Sequence, residues 1–315
     1  MTKILVTGAG GFAGTHLIKE LQKNPAAEIF ASVYNATSNI SVMIKEDHLL
    51  FGDLTDYSFA QKMIQTSSPD IIYHLAALSV VHTSAEHATA VINGNTSISY
   101  NLLEAVKLDA PKTRFIAICS ANQYGAVNPQ DLPLKETAPF RPLNPYAVSK
   151  VTQEMLALSY CLAYGLDVVI LRPFNHTGEG QTTDFVIPML AKQFVEIERG
   201  KTPVIEVGNL ETSRDFTDVL DMVQAYVLAS EKCLKGESYN IGSGVAYSVQ
   251  DILDLMQKIT GRTVTIKRNE SQIRLADVPV LVSDSTKFRT LTSWSPTIPL
   301  ETTLSRILEY WRKQI

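Results

Sequence analysis

The sequence predicts an α/β protein in which helices cover both faces of a doubly wound parallel sheet, with a smaller mixed α/β lobe attached. Three observations support this prediction. Strand-like and helix-like segments alternate through the first two-thirds of the 315 residues, which is typical of right-handed βαβ units. The strand segments are apolar on both faces, as a sheet covered on both sides requires. A glycine-rich turn directly follows the first of these strands.

The predicted elements follow one another without a low-complexity linker or an internal repeat. Hydrophobic periodicity predicts strands at residues 3–7, 28–33, 49–51, 69–75, 114–119 and 167–171, and helices at residues 12–23, 58–66, 96–106 and 145–164. Beyond these the pattern changes to helices at residues 186–198, 219–230, 249–259 and 300–312, with few good strands. We therefore expect a sheet domain of residues 1–172 plus about 215–245, and a lobe of about 173–214 plus 246–315.

Composition and charge exclude several classes of protein. Hydrophobic residues make up 45% and charged residues 19% of the chain, which excludes a disordered protein. A net charge of −4 gives no electrostatic reason to expect nucleic-acid binding. No apolar run approaches the roughly 18–20 residues of a membrane span. Three scattered cysteines suit a reducing, cytoplasmic compartment, and six histidines without metal-ligand spacing lead us to expect no metal.

The turn after the first predicted strand has the composition of a dinucleotide-binding turn. Its glycines Gly8, Gly11 and Gly14 lie between an apolar strand and the start of a helix. Such a site needs a sharp turn, close approach of the backbone to a pyrophosphate, and tight contact between helix and strand. The helix N-terminus, with Phe12 and Ala13, adds N–H groups and a dipole that favour the anion. We therefore predict a dinucleotide cofactor bound at this turn.

The cofactor's ribose is expected at the end of the second strand, where the usual acidic residue is missing. The segment FASVYNA there holds no Asp, Glu, Arg or Lys, so nothing repels a 2′-phosphate. Ser32 and Asn35 could hydrogen-bond a phosphate or a hydroxyl, and Tyr34 lies between them. Either NAD(H) or NADP(H) fits, and NADP(H) is favoured. Asp53, followed by Leu54, could accept a hydrogen bond from the adenine amino group or cap the next helix.

A tyrosine and a lysine four residues apart indicate catalysis. Helical spacing places Tyr146 and Lys150 on one face of the helix predicted at residues 145–164. A neighbouring ammonium stabilises a phenolate and so lowers the pKa of a tyrosine from its usual value near 10. Ser120 follows a predicted strand, and its hydroxyl would hold a carbonyl oxygen beside Tyr146. An exposed helical Tyr/Lys pair is the alternative interpretation, but the upstream turn favours catalysis, with Lys150 also reaching the nicotinamide ribose.

Several segments, taken in order, resemble the extended short-chain dehydrogenase/reductase family of nucleotide-sugar enzymes. They are TGAGGFAG at 7–14, HLAA at 74–77, SANQYG at 120–125, YAVSK at 146–150 and RPFN at 172–175. The resemblance covers essentially the whole chain and implies a Rossmann cofactor domain with a nucleotide-sugar-binding lobe. It also implies cofactor contacts around Leu75, Ala76, Ala77, Asn95 and Pro173.

Later segments resemble, within that family, the GDP-4-dehydro-6-deoxy-D-mannose reductases, which make GDP-D-rhamnose. These segments are RPFNHTG at 172–178, VGNLETSRDFTDV at 207–219 and RLADVP at 274–279. In that group Arg214 and Arg274 would grip the diphosphate and ribose, since guanidinium groups pair well with phosphate. Asp277 would bind a ribose hydroxyl or orient Arg274. The candidate substrate-binding residues are Ser79, Asn122, Asn175, Lys192, Arg214, Arg274 and Asp277.

The resemblance predicts a reductase that acts on a nucleotide-linked sugar, with GDP as the expected nucleotide. Hydride would pass from reduced nicotinamide to C4 of a 4-keto-6-deoxy sugar, and Tyr146 would protonate the oxygen. Dehydration is not expected, because the family's 4,6-dehydratases carry an Asp-Glu pair where this chain has Ala121 and Asn122. The alternatives are a 4-epimerase with tightly held NAD and a non-catalytic nicotinamide sensor. An intact set of Ser120, Tyr146 and Lys150 argues against the sensor.

The sequence also predicts a homodimer. The helices predicted at residues 95–106 and 145–164 carry more apolar residues than one buried face needs. These residues include Ile98, Leu102, Val106, Met155, Leu158 and Leu162. Family members of this kind pair through the same two helices in a four-helix contact, and two-fold pairing is the commonest form of oligomer.

Overall fold

Strand β1, Thr2–Thr7, lies inside a seven-stranded parallel sheet, because its apolar residues are buried on both faces. The structure is a computed structural model that describes residues 1–34, 38–79, 87–269 and 278–315, with the backbone alone at residues 38 and 39. Ile4 and Val6 pack in the core on one face of the sheet, and Leu5 packs in the core on the other. This alternation is the two-residue period of a strand.

The described strands are short, with two to seven residues each. After β1 they are β2 (Ala27–Val33), β3 (Leu49–Phe51), β4 (Ile71–His74), β5 (Arg114–Ile118), β6 (Asp167–Pro173), β7 (Asn175–Thr177), β8 (Val204–Val207), β9 (Ser213–Asp218), β10 (Ser238–Ile241), β11 (Ala246–Ser248), β12 (Thr265–Arg268) and β13 (Val280–Leu281).

The described helices connect these strands and cover the sheet. They are α1 (Phe12–Leu21), α2 (Ser38–Ser41), α3 (Tyr57–Ser67), α4 (Ala88–Asp109), α5 (Pro145–Tyr164), α6 (Val186–Glu198), α7 (Val219–Lys232), α8 (Val249–Thr260), α9 (Thr286–Thr292) and α10 (Leu300–Gln314). Short 3-10 turns occur at Glu46–His48, Ala121–Tyr124 and Pro129–Asp131.

The central sheet has the strand order β10-β6-β5-β4-β1-β2-β3, with every neighbouring pair parallel. Helices α1 and α7 cover one face, and α3, α4 and α5 cover the other. The chain runs outward in one direction from β1 and in the other from β4, so the order reverses between these two strands. Ligands of such sheets bind at this reversal, beyond the carboxyl ends of the strands. The predicted fold class, a doubly wound parallel sheet, is confirmed.

The lobe has its own apolar core, built mainly from α6, α8 and α10. A small sheet with the order β11-β9-β13, to which β7 adds beside β9, and a β8–β12 pair accompany these helices. The sequence predicts few strands here, whereas the structure has several. They are too short to show clear alternation, and their partners lie far away in the sequence. The domain boundaries given above stay a prediction.

Within the described ranges, no helix is both long and apolar enough to cross a membrane.

Candidate active site

The serine after β5 lies on a tight turn at the carboxyl edge of the sheet. Ser120 caps the 3-10 turn Ala121–Tyr124, and its Oγ accepts a hydrogen bond from the Asn122 N–H at 3.2 Å. Its own N–H donates to Oε1 of Gln123 at 3.0 Å. These reciprocal bonds form a capping box, which fixes both the backbone and the side chain of Ser120.

Helix α5 begins beside this turn because its first residues suit a helix start. Asn144 caps the helix through Oδ1, which accepts from the Ala147 N–H at 2.8 Å. Pro145 occupies the first turn, where a backbone donor has no helical partner to lose. Tyr146 and Lys150 therefore lie one turn apart, with their side chains buried on the face toward the sheet.

The side chains of Ser120, Tyr146 and Lys150 come together at this edge. Ser120 and Tyr146 hydrogen-bond through their side chains. Nζ of Lys150 lies 5.9 Å from the centroid of the Tyr146 ring. The same ammonium donates to the Ile118 carbonyl at 2.7 Å and to Oε1 of Gln153 at 2.8 Å. The lysine is thus held by a strand end and by its own helix, close to the phenol but not bonded to it.

Burial decides the protonation of the two titrating groups. It raises the pKa of the Tyr146 phenol to about 12, although the hydrogen bond with Ser120 lowers it in part. Burial also lowers the pKa of the Lys150 ammonium to about 8. The sequence argument expected the ammonium to lower the tyrosine pKa. In the structure burial outweighs any such effect, so Tyr146 is a neutral phenol at pH 7 and can donate a proton.

The glycine turn packs against neighbouring backbone more closely than a side chain would allow. Gly8 has a φ of +69°, and a Cβ there would lie 2.8 Å from the Ala76 nitrogen. A Cβ on Gly14 would lie 2.3 Å from the Gly8 carbonyl oxygen. Gly11 caps α1 without any side-chain hydrogen bond, so the first N–H groups of the helix are left for a ligand. These features fit a pyrophosphate, as a nicotinamide dinucleotide requires.

The helix after the turn also contacts the strand that follows β6. The Phe12 ring stacks on His176 of β7, with ring centroids 6.0 Å apart. Ala13 is half-buried beside it in the first turn of α1. Pro173 is the buried last residue of β6, and Asn175 begins β7. The turn and the β6–β7 connection therefore lie side by side.

The predicted ribose and adenine contacts lie at the ends of β2 and β3. Ser32 is buried within β2, whereas Tyr34 is 71% exposed. Asn35 lies outside the described residues. Asp53 is exposed and accepts from the Thr55 N–H at 2.8 Å, while Leu54 is buried. The cap of the following helix is Asp56 rather than Asp53, so the carboxylate of Asp53 is not used as that cap.

The loop after β4 is fixed by a buried asparagine. Asn95 on α4 accepts from the Leu78 N–H at 2.8 Å and donates to Oγ of Ser149 at 2.9 Å. It therefore ties the loop that contains Leu75, Ala76 and Ala77 to helix α5. Below it, His74 Nδ1 lies 2.9 Å from Oγ1 of Thr7. Burial lowers the pKa of His74 to about 3, so this ring is neutral and structural.

The predicted substrate residues are more widely spread. Asn122 is half-buried in the Ser120 turn, and Ser79 is exposed after β4. Arg214 on β9 donates from Nη1 to the Val278 carbonyl at 2.6 Å. Lys192 on α6 has its ammonium 5.8 Å from the centroid of the Trp311 ring, so it packs toward α10. Arg274 and Asp277 lie outside the described residues.

Sequence reasoning missed several buried polar residues around the site. Gln153 holds Lys150, and Ser149 holds Asn95. Gln123 and Glu154 hydrogen-bond each other directly behind Ser120. The sequence did contain a signal for Gln153 and Glu154. They lie three and four residues after Lys150 on the same helix, and residues at that spacing are neighbours.

Residues 5–307 match the family described as GDP-mannose 4,6 dehydratase. The chain belongs to this family of extended short-chain dehydrogenases/reductases. It is 30% identical over 314 residues to the GDP-6-deoxy-D-mannose reductase of Pseudomonas aeruginosa, covering 99% of this chain and 98% of that one. It is 32% identical over 286 residues to the GDP-6-deoxy-D-talose 4-dehydrogenase of Aggregatibacter actinomycetemcomitans, covering 90% and 89%.

A solved structure, that of RMD from Pseudomonas aeruginosa complexed with NADPH, has the same fold. Its TM-score is 0.88 at 28% identity, with 100% of both chains covered. Together with the glycine turn, family membership establishes an enzyme that uses a nicotinamide cofactor and modifies nucleotide sugars. Within this family, Ser120, Tyr146 and Lys150 form the candidate acid–base group of the chain.

Proposed function

We propose that the chain reduces the C4 keto group of a nucleotide-linked 4-keto-6-deoxy sugar. The substrate is GDP-4-dehydro-6-deoxy-D-mannose, the product is GDP-D-rhamnose, and the reductant is NADPH. One observation carries this proposal: a neutral, buried phenol lies against a serine hydroxyl at the same edge of the sheet as the glycine turn. That arrangement can bind a carbonyl oxygen and protonate it. The two relatives, named for GDP-linked 6-deoxy sugars, support the choice of substrate.

The bound nicotinamide supplies the hydride that reduces C4. Ser120 donates a hydrogen bond to the keto oxygen, and its capping box holds the hydroxyl in place for this contact. Tyr146 transfers its phenol proton to the same oxygen as negative charge develops there. Lys150, held by Ile118 and Gln153, is mostly protonated at pH 7 and stabilises the phenolate left behind.

The residues after Ser120 make reduction a better proposal than dehydration. Eliminating water from a sugar needs an additional acid and base beside the carbonyl. The positions that follow the serine are Ala121, which is buried and apolar, and Asn122, whose amide side chain does not titrate. The acid–base residues at this edge of the sheet can therefore make one proton transfer to the keto oxygen.

The proposed preference for NADPH rests on the end of β2. The described residues there, Ser32 to Tyr34, hold no carboxylate that would repel a 2′-phosphate. Ser32 and Asn35 remain the proposed hydrogen-bonding residues, and Asp53 is the proposed contact of the adenine amino group. No metal is proposed, and among the described residues no group of three His, Cys, Asp or Glu side chains could hold one.

The proposed nucleotide contacts lie in the lobe. Arg214 is placed on β9 beside Val278, which is the first described residue of the RLADVP segment at 274–279. We propose that Arg214 and Arg274 bind the diphosphate and ribose, and that Asp277 binds a ribose hydroxyl or orients Arg274. Lys192 is the weaker candidate, because its ammonium is already placed over an indole ring.

We also propose that two copies pair through α4 and α5 in the cytoplasm. Met155 is 43% and Leu162 is 76% exposed, and a surface hollow of about 460 Å³ lies between them on α5. Leu102 and Val106 were expected among the apolar residues that α4 carries in excess of one buried face. They are instead buried in the core of the protomer. The exposed large apolar residues of α4 are Tyr100 and Leu108. A monodisperse monomer at micromolar concentration would refute the dimer.

The experiment that tests the function is a substrate panel. GDP-, dTDP-, UDP- and CDP-linked 4-keto-6-deoxy sugars are each mixed with the purified chain and either NADH or NADPH, and the loss of reduced nicotinamide is followed. We expect the fastest oxidation with the GDP-linked sugar and NADPH. A 4-epimerase would leave the added NADH and NADPH unoxidised with every keto-sugar, and would interconvert the corresponding 4-hydroxy nucleotide sugars when these are supplied instead. This result would replace the proposal.

A further inference from the structure

A buried ion pair lies directly behind the candidate active site, and the mechanism above does not use it. Glu154 of α5 accepts two hydrogen bonds from the guanidinium of Arg172 on β6, at 3.0 Å from Nε and 2.5 Å from Nη2. Only 3% and 6% of the two side chains are exposed. The third guanidinium nitrogen, Nη1, donates to the Tyr124 hydroxyl and the Glu136 carbonyl, both at 2.8 Å.

Burying two charges is costly, so stability alone does not explain why this ion pair is present. The desolvation of two charges often cancels their attraction, and an apolar replacement is often as stable. What a buried pair does supply is one fixed geometry. Here the ion pair fixes α5 against β6. Helix α5 carries Tyr146 and Lys150, and β6 lies next to β5, the strand that leads into Ser120.

A single glutamine connects this pair to the serine. The side-chain amide of Gln123 donates from Nε2 to Oε2 of Glu154 at 2.8 Å. Its Oε1 accepts from the Ser120 N–H at 3.0 Å. An amide side chain is the group that can both donate on one side and accept on the other. Gln123 is fully buried, so both contacts are shielded from water.

The helix itself completes the connection. Tyr146, Lys150 and Glu154 follow one another at intervals of four, so they form one stripe on the buried face of α5. The phenol at one end of the stripe hydrogen-bonds the Ser120 side chain, and the carboxylate at the other end reaches the Ser120 backbone through Gln123.

We infer that Gln123, held by the Glu154–Arg172 pair, is a positioning residue that sets the direction of the Ser120 hydroxyl toward the keto oxygen. The inference rests on the proposed function. It predicts that the chemical step depends on the amide of Gln123, although this side chain touches neither sugar nor cofactor.

The substitution Gln123→Glu tests this inference through pH. The introduced carboxyl is isosteric with the amide, is buried, and lies against the carboxylate of Glu154, so its pKa is raised. While protonated it still donates to Glu154 and accepts from Ser120. Once ionised, it repels Glu154 and the connection breaks. The titratable and charged groups around this position are Cys119, Tyr124, Glu136, Lys150, Glu154 and Arg172.

We expect the kcat of Gln123→Glu to fall about tenfold below wild type at about pH 8.5, because a small displacement of a catalytic group is costly. Near pH 6 it should recover to within about twofold, since the carboxyl is then protonated. The affinity for NADPH should stay unchanged at both pH values. Gln123→Leu, which removes both hydrogen bonds, should be slow at either pH. Gln193→Glu is the matched control, because Gln193 makes two hydrogen bonds to the Glu206 backbone in the lobe.

A second readout needs no substrate. A buried carboxyl with a raised pKa binds more protons in the folded state than in the unfolded state, so stability falls as the pH rises through that pKa. The melting temperature of Gln123→Glu, relative to wild type, should therefore fall from about pH 6 to about pH 8.5. A simple packing defect would lower it equally at both pH values.

These readouts separate the possible outcomes. A kcat ratio that does not change with pH, in a variant whose melting temperature does, would overturn the positioning role. A pH-independent melting difference would overturn the Gln123–Glu154 contact itself. Failure of the wild type to reduce any keto-sugar would instead refute the proposed function. The same kcat profile, measured in a 4-epimerase assay, would then decide the positioning role.

Discussion

The candidate acid–base residues and the proposed nucleotide contacts are held in different ways. Ser120, Tyr146 and Lys150 are buried. Ser120 is fixed by its capping box, Tyr146 hydrogen-bonds Ser120, and Lys150 bonds a strand end and its own helix. Arg214 and Lys192 are half-buried on a short strand and a lobe helix. The difference indicates that the chemistry depends on a rigid sheet edge, whereas substrate choice depends on the lobe.

Removing the phenol should give the largest effect. Tyr146→Phe keeps the ring and its packing but removes the proton placed for the keto oxygen, and we expect kcat to fall about 10²- to 10⁴-fold. The affinity for NADPH should change little, because the glycine turn is untouched. Steady-state kinetics and a cofactor titration check both parts. Ser120→Ala, which leaves the phenol in place, should be milder, and the reverse order would contradict the assigned roles.

The second-largest effect is expected from adding a methyl group to the glycine turn. In Gly14→Ala the new Cβ meets the Gly8 carbonyl oxygen at 2.3 Å, and backbone must shift to relieve this contact. That shift displaces the backbone N–H groups proposed to bind the pyrophosphate, so NADPH affinity should fall about tenfold, which is about 1.4 kcal/mol. Gly94→Ala is the control, since its Cβ would meet the Leu78 side chain at an ordinary 3.7 Å. Equal NADPH affinity in both variants would exclude the turn as the phosphate site.

Removing a charge from the lobe should weaken binding of the nucleotide sugar but not binding of the cofactor. Arg214→Gln should raise the KM for the nucleotide sugar about tenfold, the cost of one charge-assisted hydrogen bond, with NADPH affinity unchanged. Lys192→Gln should have a smaller effect, because that ammonium already lies over Trp311. Initial rates over a range of sugar concentrations measure both. If Lys192→Gln proved the more harmful, the lysine rather than the arginine would be the main nucleotide contact.

The smallest effect should be a pH dependence of stability. Burial lowers the pKa of Lys150 from 10.5 to about 8 in the folded chain. Between these two values the unfolded chain binds more protons, so stability rises with pH. The melting temperature of wild type, relative to Lys150→Met, should therefore rise by a few degrees from about pH 8 to about pH 10. A flat difference would mean that the ammonium is not desolvated.

Six of the seven strands of the central sheet were predictable because their signals are local, whereas β10 was not predicted. The strands from β1 to β6 lie within two residues of their predicted bounds, since each is an apolar segment next to a turn or a helix start. Helix α4 begins at Ala88, earlier than expected, because its first turns contain small and polar residues with weak periodicity. The lobe strands were missed because β9 pairs with β7, β11 and β13, which lie far apart in the sequence.

The residues of the candidate acid–base group could be predicted from the sequence, but the pKa of Tyr146 could not. Motif spacing pointed to Ser120, Tyr146 and Lys150, and the structure brings them together. The raised pKa of Tyr146 depends on how deeply the ring is buried, which no spacing reveals. The Gln123–Glu154–Arg172 cluster joins a turn, a helix and a strand, so only the folded chain places its members in contact.

The most direct test of the account follows the hydride itself. The chain is incubated with GDP-4-dehydro-6-deoxy-D-mannose and NADPH carrying deuterium at the transferable position of nicotinamide C4, and the product is analysed by mass spectrometry and NMR. We expect one deuterium at C4 of GDP-D-rhamnose for each NADPH oxidised. The account would be contradicted if the keto-sugar stayed unreduced without loss of NADPH, while the chain interconverted GDP-D-rhamnose and its C4 epimer when either 4-hydroxy sugar was supplied instead. The chain would then be an epimerase.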